Sequence, residues 1–215
     1  AQLLEEFDKR KLLVIFRLLP KDIAAGVFSH ISRELRRYIV ESITDKEIKN
    51  ILDELFFDDK IDFLEEMPSN VVKKILQNTD ENTRKLINQF LNYPEDSAGS
   101  IMTIEYVDLK KEMTVKEALQ HIKATGVDKE TIDTSYVIDN NRILEGTISI
   151  RKLILSDEST VVKDIMETDV IFVNTYDDQE KIASLFKKYD FISMPVVDNE
   201  RRLVGIVTID DIIDI

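Results

Sequence analysis

The chain has 215 residues, with 42 Asp or Glu against 29 Lys or Arg, a formal charge of −13 and 43% hydrophobic residues. That charge repels phosphate and speaks against a nucleic-acid partner, while the hydrophobic fraction is too high for a disordered acidic tail. With no Cys and two His, disulfides, thiolate zinc sites and cysteine nucleophiles are excluded.

No apolar run approaches the roughly 20 residues needed to cross a bilayer, and the first residues lack the basic-then-apolar layout of a signal peptide. The expectation is a soluble, cytoplasmic chain of one or two domains. Charge divides it unevenly. Residues 1–94 hold 15 basic and 17 acidic side chains (15 − 17 = −2), whereas residues 95–215 hold 14 and 25 (14 − 25 = −11).

Up to about Tyr93 the chain has one glycine, Gly26, and apolar residues recur at spacings of three and four, as in Ile48, Ile51, Leu52 and Leu55. This predicts an all-α first half. Thr44 and Glu47 have the spacing of a capping box, and Pro20 and Pro68 are expected in first helical turns, where a missing N–H costs nothing. The stretch from Leu19 resembles the stretch from Met67, 48 residues on, sharing a proline, an apolar pattern and Arg36 with Arg84. Stacked helical hairpins in a small solenoid account for this.

Between these stretches lies FFDDKIDFLEEMP, which puts Asp58 and Asp62 at i and i+4 on one helical face, with Asp59 beside them. In an acidic protein such a pair is most often a solvated helix face.

After YPEDSAG the texture changes to β-branched clusters separated by helical stretches. Strands are predicted at Tyr106 to Leu109, Tyr136 to Ile138 and Gly146 to Ser149, with helices at Val115 to Lys123 and from Arg151. A second copy has strands at Ile171 to Val173, Pro195 to Val197 and Val204 to Thr208, and helices at Gln179 to Lys188 and from Ile209. SYVIDNNRILEGTISIRKLI matches MPVVDNERRLVGIVTIDDII without a gap at an offset of 59, whereas Ile101-Met-Thr matches Ile165-Met-Glu at 64. The first copy therefore carries about five extra residues, expected in the Thr125 to Ile132 loop. The closing helix stops at Ile215, so a continuation is expected.

Few residues here could support catalysis. His121 and His30 lack partners at ligand spacing, and no Gly-rich phosphate loop or serine elbow is present. The chain reads as a non-enzyme.

The MPVVD and LVGIVTIDD stretches resemble a CBS module, two in tandem resemble a CBS pair, and an acidic helical repeat ahead of them resembles the cytosolic region of MgtE-type bacterial magnesium transporters. The resemblance implies a multidomain chain: an all-α helical-repeat superhelix over residues 1–94, then an α/β tandem CBS pair over residues 95–215. The modules would span about 100–159 and about 160–215.

It further implies a homodimer through the CBS pairs, on the cytoplasmic side of the cell membrane, with membrane helices following Ile215. In that family high Mg²⁺ holds the helical domain against the CBS pair and closes the pore. The Mg²⁺-binding residues implied here are Asp58, Asp59, Asp62, Lys187 through its carbonyl, Asp190, Asp211 and Asp214.

CBS modules also commonly bind adenine nucleotides through a Gly-x-x-Thr/Ser-x-x-Asp pattern. Gly205, Thr208 and Asp211 complete it; Gly146 and Ser149 begin it, but Lys152 stands where the ribose acid belongs. Ser149, Arg151, Phe191 and Thr208 are the implied contacts for ATP. A nucleotide-sensing module is thus the competing reading, and a helical adaptor with a merely dimerising CBS pair is a third.

Overall fold

The structure is a computed structural model, and the described residues are 7–213 apart from residue 78. The chain divides into two compact units, residues 1–91 and 92–215.

The first unit is all-α: α1 (Lys9–Leu18), α2 (Lys21–Ser29), α3 (Arg33–Ser42), α4 (Asp45–Glu54), α5 (Phe57–Glu66), α6 (Ser69–Gln77) and α7 (Glu81–Phe90). Shifted by 48 residues, the bounds of α1, α2 and α3 coincide with those of α5, α6 and α7. The repeat seen in the sequence is therefore one of three helices, with α4 between the copies. The expected capping box opens α4: Thr44 Oγ1 accepts from the Glu47 N–H at 3.3 Å, and Glu47 accepts from the Thr44 N–H at 2.8 Å.

The prolines stand one place earlier than expected. Pro20 is the N-cap of α2, with an extended ψ of 150°, and its carbonyl accepts from the Ala24 N–H. Pro68 just precedes α6 and its carbonyl accepts from Val71 and Val72. The ring's fixed φ suits a cap as well as a first turn, and either position spares the missing donor.

Apolar residues at three- and four-residue spacing build this unit's core, with Leu12, Phe28, Ile39, Phe57, Ile61 and Phe90 nearly inaccessible. Phe28 meets Phe63 at 5.2 Å and Phe57 meets Phe90 at 4.7 Å, both edge to face.

The second unit begins with α8 (Ala98–Ile101) and holds two three-stranded sheets. In the first, β1 (Asp108–Leu109) pairs parallel with β2 (Thr134–Ile138), which pairs antiparallel with β3 (Leu144–Ser149). Helix α9 (Val115–Thr125) crosses between β1 and β2, and α10 (Ile150–Leu155) follows β3. After α11 (Val162–Ile165), β4 (Val173–Asn174), β5 (Ser193–Val197) and β6 (Leu203–Thr208) repeat the order, with α12 (Gln179–Tyr189) as crossover and α13 (Ile209–Ile213) last. The extra residues of the first copy include a 3₁₀ turn, Gly126–Asp128. Tyr106, Val107, Ile171 and Phe172, expected in strands, lie outside them.

The two modules face each other around a pseudo-twofold. The turns before β3 and β6 place Arg142 at φ 66° and Arg201 at φ 65°. Across the axis the Leu144 N–H donates to the Arg201 carbonyl at 3.2 Å and the Leu203 N–H to the Arg142 carbonyl at 2.8 Å. Tyr106, Tyr136, Ile138 and Leu144 of one module share a core with Val197, Leu203 and Ile206 of the other.

Each module's sheet also receives the segment that precedes the other module. Thr103 exchanges backbone hydrogen bonds with Ile206 of β6, and Glu167 does the same with Thr147 of β3. The two glycines of the repeat permit this approach. A Cβ on Gly205 would lie 2.7 Å from the Thr103 carbonyl oxygen and 2.8 Å from Met102 Sδ; on Gly146 it would lie 2.9 Å from the Glu167 oxygen and 2.8 Å from Met166 Sδ.

Candidate metal and nucleotide sites

In the helical unit, the residue Phe56 breaks the chain between α4 and α5, so Asp58 and Asp59 fall in the first turn of α5, where the helix's free N–H groups favour carboxylates. The Asp59 N–H donates to Asp58 Oδ1 at 2.9 Å. Asp59 itself turns toward α2 and accepts from Ser29 Oγ at 3.0 Å. Asp58 is half-buried and Asp62, one turn on, is exposed. Spacing thus gives Asp58 and Asp62 one face, while packing commits one oxygen of Asp59 to a neighbouring helix.

In the second unit, Asp190 closes α12 in the left-handed conformation, φ 53° and ψ 41°, with its N–H bonded to the Phe186 carbonyl at 2.9 Å. Lys187 and Asp190 are both exposed, and the last-turn carbonyls of α12, that of Lys187 among them, lack a helical continuation. Asp211 reaches back to the start of α13: its Oδ2 accepts from the Thr208 N–H at 3.0 Å and from Thr208 Oγ1 at 2.7 Å. Asp214 lies outside the described residues.

All candidate donors are carboxylate or carbonyl oxygens, hard ligands suited to Mg²⁺ rather than to a softer metal. Among the described residues, no group of three or more His, Cys, Asp or Glu is assembled to hold a metal. A single face offers one or two carboxylates, which is the number Mg²⁺ usually takes while keeping its waters. The donor set therefore fits the ion.

The residues of the nucleotide pattern differ between modules. Thr208 is buried with its hydroxyl held by Asp211, whereas Ser149 is exposed and its Oγ caps α10 by accepting from the Lys152 N–H at 3.2 Å. Lys152, at the position of the missing acid, pairs with Glu167 at 2.8 Å, and the Lys152 hydrogen bond holds the Glu167 carboxyl below its usual range. Arg151 is exposed on α10. Phe191 is half-buried, stacked on Tyr189 at 5.4 Å and edge-on to Phe186 at 6.5 Å, so part of its surface is core.

Sequence reasoning did not single out Tyr136, which is fully buried where the modules meet and hydrogen-bonded to Ser193 Oγ at 2.7 Å. Burial pushes its phenol far above the ordinary value, with the Ser193 bond pulling the other way. Its signal in the sequence was weak, because Tyr136 reads simply as a strand residue and its partner Ser193 lies 57 positions away.

The family described as MgtE intracellular N domain matches residues 1–96, and the CBS domain family matches residues 98–158 and 162–215. Magnesium transporter MgtE of Thermus thermophilus is 39% identical over 214 residues, covering 98% of this chain and 48% of that protein. Magnesium transporter MgtE of Bacillus subtilis is 32% identical over 224 residues, covering 99% of this chain and 50% of that protein. The chain spans about half the length of these relatives. Among solved structures, the soluble part of a magnesium transporter superposes with a TM-score of 0.94 at 32% identity, covering 99% of this chain and 84% of that one. The cytosolic domain of the Mg²⁺ channel MgtE in complex with ATP superposes with a TM-score of 0.89 at 38% identity, covering 99% and 92%.

Proposed function

The chain belongs to the MgtE magnesium-transporter family, and we propose that it is the cytosolic Mg²⁺-sensing region that gates the membrane pore of such a transporter. The observation that carries this reading is the whole-length likeness to the soluble part of a magnesium transporter, together with exposed or half-buried carboxylates in both units, Asp58 and Asp62 in one and Asp190 and Asp211 in the other.

Like charges about 4 Å apart repel by about 1 kcal/mol in water and about 4 kcal/mol at an effective dielectric near 20. Acidic faces on separate bodies therefore stay apart until a divalent ion lies between them. When bound, Mg²⁺ supplies the positive charge that removes this repulsion. Asp58, Asp62, Asp190, Asp211 and Asp214 would hold it, Asp59 would contribute the oxygen that Ser29 leaves free, and Lys187 would contribute its carbonyl. One site adds RT ln(1 + [L]/Kd), about 0.4 kcal/mol at [L] = Kd, so a steep switch requires several sites acting together. The functional unit is a homodimer through the CBS pairs, joined to its own membrane domain at the cytoplasmic face of the cell membrane.

A protease titration of the purified chain tests the proposal. Millimolar Mg²⁺ is expected to slow cleavage several-fold, NaCl at matched ionic strength is expected not to, and Asp58→Ala with Asp62→Ala, or Asp211→Ala with Asp214→Ala, is expected to abolish the protection. Equal protection by NaCl, or full protection in those variants, would refute it.

A second reading, an adenine-nucleotide sensor, is favoured by the ATP held in the related cytosolic domain and by the complete Gly205, Thr208, Asp211 pattern. It predicts that micromolar ATP raises thermal stability without Mg²⁺, through Ser149, Arg151, Phe191 and Thr208. Thr208→Val should then remove the shift, and Lys152→Asp should enlarge it.

A further inference from the structure

One face of the first helical repeat is covered by α5. Phe28 of α2 packs on Phe63 at 5.2 Å, Ser29 of α2 donates to Asp59 at 3.0 Å, and Arg36 of α3 pairs with Glu66 at 2.6 Å. Asp59, Phe63 and Glu66 are spaced i, i+4 and i+7, one side of a helix. In the second repeat, 48 residues on, Leu76, Gln77 and Arg84 occupy the positions of Phe28, Ser29 and Arg36. Within the helical unit no helix follows α7 as α4 and α5 follow α3.

The consequence is an open groove lined by Val72, Lys73, Leu76, Gln77 and Arg84. Helix α6 buries none of its residues, its Val72 and Leu76 lining this groove while Val71 and Ile75 line a separate cavity, whereas the equivalent α2 buries Ala24, Ala25 and Phe28. Arg84 makes a long hydrogen bond to the Leu76 carbonyl at 3.5 Å, where its counterpart Arg36 has a carboxylate.

We propose that this groove docks an amphipathic helix of a separate partner, which presents a carboxylate, an aromatic side chain and a second carboxylate at i, i+4 and i+7. The first repeat supplies the template, with α5 in the equivalent groove. Charge supplies the second argument: Lys73 and Arg84 line this groove with no carboxylate among its lining residues, in a chain of net charge −13. An acidic helix is drawn to it and a basic one is not.

The test uses the whole chain, isotopically labelled for NMR, and a helix-stabilised peptide of residues 56–67. Saturable shifts are expected at the amides of Val72, Leu76 and Arg84, and Arg84→Glu is expected to weaken binding at least tenfold. A peptide carrying the changes corresponding to Asp59→Ala, Phe63→Ala and Glu66→Ala should not bind. Lys73→Glu, an exposed position, is the second variant and should weaken binding several-fold even if Arg84→Glu perturbs the fold. The proposal is overturned if no amide responds, if the response falls at Phe28, Ser29 and Arg36, or if the groove amides shift with protein concentration alone, which would make the occupant a second copy.

Discussion

Both units are built by internal duplication, but the copies are related differently. In the helical unit the copies follow one another along the chain, so among the described residues of that unit the face that α5 covers in the first copy has no covering helix in the second. In the α/β unit the copies face each other, and the main backbone contacts made by one are returned by the other. The Arg142 and Arg201 turns exchange hydrogen bonds, and the Thr103 and Glu167 segments each complete the other module's sheet. A face-to-face pair closes its own interface, whereas a translational stack leaves an end for something else to occupy.

The closed unit should be the more sensitive to added volume. Gly146→Ala and Gly205→Ala each put a methyl against a backbone oxygen that cannot retreat, and each is expected to cost up to about 3 kcal/mol in urea unfolding. Pseudo-symmetry predicts similar losses, so a variant with wild-type stability would break the comparison. In the helical unit the covered and open ends should diverge. Glu66→Ala strands the Arg36 guanidinium, whose Nε already lacks a partner, and should cost toward the low end of about 1.5–3 kcal/mol because both side chains keep some water. Arg84→Ala should stay within about 0.5 kcal/mol. Equal losses at the two arginines would remove the distinction between the ends.

The smallest effect is with pH, and it should touch both units. The Thr44 N–H and hydroxyl hold Glu47 below its ordinary pKa, as those of Thr114 hold Glu117. For Asp177, burial pushes upward but is outweighed by Lys181 and the Asn174 N–H, so its carboxyl too is lowered. Groups depressed in the folded state stabilise above their unfolded pKa and cease to do so as pH falls through the folded one. Melting temperatures measured in chelator should therefore be level near neutrality and decline below about pH 4, where free carboxylates protonate. A rise in stability between pH 5 and pH 3 would contradict this.

Much of the architecture was legible because it rests on local pattern. Apolar spacing marked the helices, the Thr44 and Glu47 spacing marked a real cap, and the two offsets exposed both duplications. Strand edges were less legible, since Tyr106 and Phe172 are aromatic yet serve the core between the modules rather than a ladder, and Val107 is buried in the core of the first module just ahead of β1. The candidate metal residues were legible as carboxylates on helix faces, but not their engagements: Ser29 on Asp59 and Thr208 on Asp211 were visible only once the helices were packed.

Composition, periodicity and repetition determined by themselves that this chain is an acidic helical repeat followed by two α/β modules, because hydrophobic spacing and caps act within a few residues. Tertiary structure alone decided which copy is covered, that each leading segment crosses to the opposite sheet, and that the groove beside Arg84 stays open. Those outcomes depend on residues 30 to more than 100 positions apart meeting, as Arg36 meets Glu66 and Thr103 meets Ile206, and no short-range pattern encodes such distances.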